Sequence, residues 1–144
     1  LARSRPAASA PLATVYLQGE LGAGKTTLAQ GFLRACGVAG PVRSPTYTLV
    51  QVYPLTALTV VHVDLYRLRG TEEIEHLGLT EWARPATVWL IEWPERGAAV
   101  LPAADLRITL RLLSAAHEAH LRAETAAGDA WLRRLTGCPR TESS

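Results

Sequence analysis

The sequence predicts a three-layer α/β domain, a mostly parallel central sheet covered by helices, with an antiparallel hairpin at its C-terminal end. Three observations carry this. The runs Thr14 to Leu17, Thr59 to Val63 and Thr87 to Ile91 are nearly unbroken apolar segments of strand length, the pattern of parallel strands buried on both faces. Leu28, Ala29, Phe32, Leu33 and Cys36 recur at helical spacing. From Asp105 the pattern changes to alternation, with Leu106, Ile108, Leu110 and Leu112 on one face and Arg107, Thr109 and Arg111 on the other. Strands joined by helices, followed by an antiparallel edge, give the layered arrangement.

In chain order, Thr14 to Leu17 is the first strand, and a glycine-rich turn leads into the first helix, which Gly37 ends as a left-handed cap. A loop rich in Gly and Pro then delivers Ser44-Pro45-Thr46-Tyr47 to a β-prone stretch from Tyr47 to Tyr53, ended by Pro54. Thr59 to Val63 is a central strand with Asp64 at its C-terminal end. Thr71 is placed to cap a short helix containing Glu72, Glu73 and Glu75, closed by Gly78, and this acidic run is read as a solvated face. Thr87 to Ile91 is the third buried strand, ending in Glu92. Residues 114–116 turn the alternating strand back into a partner around His117 to Glu124, and Gly128 to Leu135 forms a last helix.

With 144 residues, 48% of them hydrophobic, one domain with a real core is expected. Its expected extent is 14–136, with a flexible lead-in over 1–13 and a disordered tail over 137–144. A chain that starts at Leu1 and contains no methionine is expected to lack its natural N-terminus. The net charge of +2 is too small to demand a nucleic-acid partner. Cys36 and Cys138 fall in no metal or redox spacing, so a reducing cytoplasm is expected. No apolar run is long enough to span a bilayer, and the first dozen residues have no signal-peptide core.

One segment prescribes a chemistry. Gly19-Glu20-Leu21-Gly22-Ala23-Gly24-Lys25-Thr26 matches G-x-x-x-x-G-K-[ST], with Thr27 following, and Lys25 is the chain's single lysine. The glycines let consecutive N–H groups turn inward as a nest for phosphate oxygens, and the helix that follows presents its positive end to the same anion. Lys25 adds a point charge, and the Thr26 hydroxyl can complete the shell of a magnesium ion. The expectation is a P-loop NTPase fold with a nucleoside triphosphate site.

Ligands of an open α/β sheet collect at the carboxyl ends of the strands, which directs Asp64 and Glu92 toward this loop. A triphosphate with magnesium needs one acidic group for the ion and a group to orient the nucleophile, and two carboxylates can divide those jobs. The bland alternative is a helix cap or an ion pair. Ser44 and Thr46 lie where a switch loop could sense the terminal phosphate, or are the corners of a Pro-directed turn. Arg43, Arg67 and Arg96 are candidates for stabilising phosphoryl charge, each with a surface role as the plainer reading. His62 reads as a core residue, and His117 and His120 as edge-strand surface. Trp93, directly after Glu92, walls the site against water, stacks on a partner or packs in the core, while Trp82, Trp89 and Trp131 read as structural.

GELGAGKTT (Gly19 to Thr27), SPTYTLV (Ser44 to Val50), HVDLYRL (His62 to Leu68) and LIEWPERG (Leu90 to Gly97), in this order and spacing, resemble the TsaE family, also called YjeE. EHLGLTEW, Glu75 to Trp82, also looks like the family's linking segment. The resemblance covers about Val15 to Leu112. It implies a bacterial P-loop ATPase required for threonylcarbamoyladenosine (t6A) in tRNA, using ATP and Mg2+. It would act with TsaB and TsaD, reach tRNA through that complex, touch no membrane and reside in the cytoplasm. By position, the resemblance assigns the phosphates to Gly22 to Thr27, the magnesium to Thr26 and Glu92, the reacting water or metal shell to Asp64, and the switch loop to Thr46. Lys25, Asp64 and Glu92 are therefore the expected catalytic residues.

Two other classes fit the same loop. A small-molecule P-loop kinase would use Asp64 or Glu92 to deprotonate an acceptor hydroxyl, but the chain offers no insertion long enough for a lid or substrate-binding segment. A non-hydrolysing nucleotide sensor would bind ATP tightly without turnover.

Overall fold

The computed structural model describes residues 13–42, 45, 48–56, 58–82, 85–97 and 100–136. Its strands are β1 (Ala13–Gly19), β2 (Val50–Pro54), β3 (Thr59–Asp64), β4 (Thr87–Glu92), β5 (Leu106–Leu112) and β6 (His117–Ala123). Its helices are α1 (Lys25–Ala35), α2 (Glu72–His76) and α3 (Ala126–Thr136), with 3-10 turns at Leu79–Trp82 and Pro94–Arg96. One sheet runs β2-β3-β4-β1-β5-β6. The pairs β3·β4, β4·β1 and β1·β5 are parallel, and both outer pairs are antiparallel. The three-layer α/β arrangement with an antiparallel C-terminal hairpin is thus the observed one. No helix among the described residues is long and apolar enough to cross a membrane.

The second antiparallel edge, β2 on β3, is not part of the sequence expectation. Only residues 55–58 separate the two strands, and the Leu55 N–H donates to the Leu58 carbonyl across the turn. A connection that short cannot make the crossover that parallel neighbours need.

Strand alternation builds two cores. Val15, Leu17, Val60, Val88, Leu90, Leu106 and Ile108 face α1 and α3, meeting Phe32, Leu33 and Trp131. Tyr16, Val61, Val63, Trp89 and Ile91 face the opposite way, onto Ile74 of α2 and Leu79. Trp89 and Trp131 are core residues as expected, and Trp131 sits edge-on to Phe32 with ring centroids 6.1 Å apart.

Several boundary expectations change, among them the second strand, which begins at Val50 and includes Pro54. Leu112, read as part of the apolar face of β5, is 62% exposed, two residues beyond Leu110, where the pairing of β5 with β1 ends at Gly19. Thr71 stands at the N-cap of α2 without a side-chain cap bond. The last helix starts at Ala126 rather than Gly128, since Thr125 supplies the cap: its Oγ1 accepts the Gly128 N–H at 3.2 Å and donates to Asp105 Oδ1 at 2.7 Å. The left-handed cap at Gly37 is as expected, with the Gly37 and Val38 N–H groups returning to Arg34 and Leu33. Cys138 and the lead-in and tail residues lie outside the described residues.

Gly128 packs α3 against the start of β5, where a Cβ would sit 1.7 Å from the Asp105 carbonyl oxygen. Helix propensity alone favours Ala over Gly by about 1 kcal/mol. The contact reverses the sign: Gly128→Ala is expected to destabilise the domain by about 1–3 kcal/mol in urea unfolding. A stabilised variant would contradict this packing.

Candidate functional site

The glycine-rich loop lies between the end of β1 and the start of α1, and β1 is flanked by β4 and β5. Gly22 and Gly24 take φ of 84° and 106°, left-handed values that let the chain curl into the helix without steric cost. The first turn of α1 is left open. Its N-cap, Gly24, makes no side-chain cap bond, and no acidic residue stands in that turn. The N-terminal N–H groups and the positive end of the helix dipole are therefore not neutralised by a capping carboxylate.

A cleft of about 400 Å³ opens at this end of the sheet. It brings together Leu21, Gly22, Gly24, Lys25, Thr26 and Thr27 of the loop with Asp64 and Glu92 from the ends of β3 and β4. The parallel register pairs Asp64 with Glu92, so both carboxylates reach the loop at the same level. The remaining loop residues play supporting parts. Gly19 and Glu20 supply carbonyls, and Ala23 is buried in the core.

Lys25 is 4% exposed and folds back on the loop, where Nζ donates to the Gly19 carbonyl at 2.6 Å and to the Glu20 carbonyl at 2.9 Å. Its ammonium also lies 4.2 Å from the centroid of the Trp93 ring. Burial lowers the Lys25 pKa, against the opposing pull of Glu92, Glu95 and Asp64. Trp93 takes φ 58° and ψ 49°, a left-handed conformation that costs a non-glycine residue roughly 1–3 kcal/mol. Trp93 lines the cleft and also packs on the second core.

Thr26 Oγ1 donates to Glu92 Oε1 at 2.9 Å, and His62 Nε2 lies 2.6 Å from Glu92 Oε2. Glu92 is 1% exposed. Asp64 is also buried, and its Oδ1 accepts the Tyr66 N–H at 3.0 Å. It therefore both lines the cleft and shapes the turn after β3. Among the arginines, Arg67 lines the cleft, whereas Arg96 stacks over Tyr66 and Trp93 at 5.3 and 5.5 Å. Arg43, Ser44 and Thr46 lie outside the described residues.

Two contacts were not foreseen. His62, read as a core residue, is fully buried but bonded to Glu92. The available signal was parity, for His62 stands two residues before Asp64 and so shares its face. His117, read as edge surface, has its Nδ1 3.3 Å from the Ala23 carbonyl oxygen and so ties the β5–β6 hairpin to the loop. No local pattern announces a contact across 94 positions.

Among the described residues no group of three or more His, Cys, Asp and Glu is placed to hold a metal. Magnesium does not require one, since it commonly takes one or two protein oxygens and completes its shell with phosphate and water. The Thr26 hydroxyl commits its hydrogen to Glu92, which leaves its lone pairs for a cation. The donor set therefore fits magnesium, and the open helix end with Lys25 fits a polyphosphate.

Fold and loop together define an α/β domain of the P-loop NTPase class. A family model described as "Threonylcarbamoyl adenosine biosynthesis protein TsaE" matches residues 1–120. The chain belongs to the TsaE family, whose members are tRNA threonylcarbamoyladenosine biosynthesis proteins. It is 44% identical over 114 residues to the TsaE of Haemophilus influenzae, covering 79% of this chain and 72% of that one. The TsaE of Bacillus subtilis is 36% identical over 111 residues, covering 77% and 69%. A solved structure titled "Crystal structure of Bacillus subtilus YdiB" superposes with a TM-score of 0.75 at 26% identity, covering 94% of this chain and 82% of that one.

Removing the Glu92 carboxylate strips both Thr26 and the buried His62 of a partner, whereas an amide retains an oxygen and most of the volume. Glu92→Ala is therefore expected to unfold about 1–3 kcal/mol more easily than Glu92→Gln in denaturant titration. Equal stability of the two variants would show that the buried bonds do not hold this end of the sheet together.

Proposed function

We propose that this chain binds ATP with magnesium and hydrolyses it in support of t6A formation in tRNA, working in the cytoplasm in complex with TsaB and TsaD. The carrying observation is the Thr26–Glu92 hydrogen bond beside Lys25 at an uncapped helix N-terminus. In this reading the N–H groups from Gly22 to Thr27 receive the phosphate oxygens and Lys25 leaves its two carbonyl partners to neutralise the outer phosphates. Thr26 and Glu92 hold the magnesium, which supplies charge neutralisation at those phosphates. Asp64 orients the reacting water or a water of the metal shell. Ser44 and Thr46 form the switch that senses the terminal phosphate. Trp93 covers the Lys25 side of the cleft and limits water there.

Family membership supports the t6A role, and in this reading tRNA is reached through the complex, since a net charge of +2 does not by itself demand a nucleic-acid partner. The deciding measurement is magnesium-dependent ATP hydrolysis by the chain alone and with purified TsaB and TsaD. The partners are expected to raise turnover. Lys25→Ala is expected to lose both ATP affinity and turnover, and Glu92→Gln to keep the fold while losing turnover. Tight ATP binding with no turnover under any condition would instead establish a nucleotide sensor. Phosphate transfer to a small-molecule acceptor would establish a kinase.

A further inference from the structure

β3, whose other residues are Thr59, Val60, Val61, Val63 and the terminal Asp64, carries one imidazole in its interior, and that side chain is 0% exposed. Alternation places His62 on the same face as Asp64, and the parallel register sets it beside Leu90, two residues before Glu92 on the same face of β4. His62 Nε2 lies 2.6 Å from Glu92 Oε2, while Nδ1 has no hydrogen-bond partner among the described residues. A proton on Nδ1 would leave a buried donor unsatisfied and press the Nε2 lone pair against a carboxylate oxygen. With the proton on Nε2, His62 donates, Glu92 accepts, and only a bare lone pair is left at Nδ1.

We infer that His62 is a positioning residue for Glu92. Its Nε2–H holds Oε2, so that Oε1 remains on the Thr26 hydroxyl and the carboxylate keeps the orientation it shows in the cleft. This rests on the reading of Glu92 as the magnesium carboxylate. Glu92 has two oxygens and, among the described residues, two protein donors, one from the start of α1 and one from the interior of β3. Without the second donor, the buried Oε2 is unsatisfied and the carboxylate gains by rotating away from Thr26. His62 does not line the cleft, so its effect passes through Glu92 rather than through contact with nucleotide.

The test has two arms. In the full chain labelled with 15N-histidine and free of nucleotide, NMR is expected to show one imidazole with a slowly exchanging Nε2–H. That protection should disappear in Glu92→Ala. An unprotonated Nε2 at His62, or protection unchanged in Glu92→Ala, overturns the inference whether or not the chain hydrolyses ATP. In the second arm, His62→Leu fills the site without a donor and is expected to lower kcat about 10- to 100-fold with KM for ATP little changed. His62→Gln, which retains an N–H donor, is expected to recover much of the loss. A folded His62→Leu variant with wild-type kcat overturns the inference. Absence of turnover in the wild type with TsaB and TsaD overturns the hydrolase reading instead, and the NMR arm still decides the pairing.

Discussion

Glu92 is a carboxylate placed almost wholly out of water at the end of a central strand, and much of this end of the molecule is arranged around satisfying it. Burying such an ion costs several kcal/mol even after relaxation. Hydrogen bonds to a charged group return about 1.5–3 kcal/mol each. Glu92 receives them from the first turn of α1 and from the interior of β3, so one side chain joins three elements. That geometry requires β3 and β4 to be parallel neighbours in the register that sets Asp64 beside Glu92. It also requires the loop after β1 to bring Thr26 over the end of β4.

The same face of the sheet changes character along its length. Toward the middle, Val60, Val88 and Leu90 pack under Phe32 and Leu33 of α1. One step further, the positions become His62, Asp64 and Glu92, all buried. A polar cluster inside the protein is costly unless each member is paired, and the loop supplies what the strands lack. Lys25 brings the cation, held by the loop's own carbonyls and covered by Trp93. The left-handed turn at Trp93, immediately after Glu92, is backbone strain located where the chemistry is expected.

Most of this architecture was legible locally. Unbroken apolar runs, helical spacing and alternation are properties of neighbouring residues, and each marked an element that is present. The loop pattern was legible for a related reason, because its glycines and its Lys-Thr pair must be contiguous to enclose an anion. The edges were harder. Leu112 belongs to the apolar stripe of β5 by pattern, yet it projects past the end of β1 and stays exposed. α3 starts at Ala126 rather than Gly128, because Thr125 caps it and Asp105 of a distant segment fixes that cap.

The sequence by itself determined the fold class, the loop, and the strand-end placement of Asp64 and Glu92, because each depends on spacing within a single segment. Only the tertiary structure decided that His62 is bonded to Glu92, that His117 meets the loop and that Trp93 covers Lys25. Those facts depend on register between strands and on which element the sheet order places next to which. A residue type at one position carries no record of the partner that lies across from it, so their physical origin is the packing rather than the pattern.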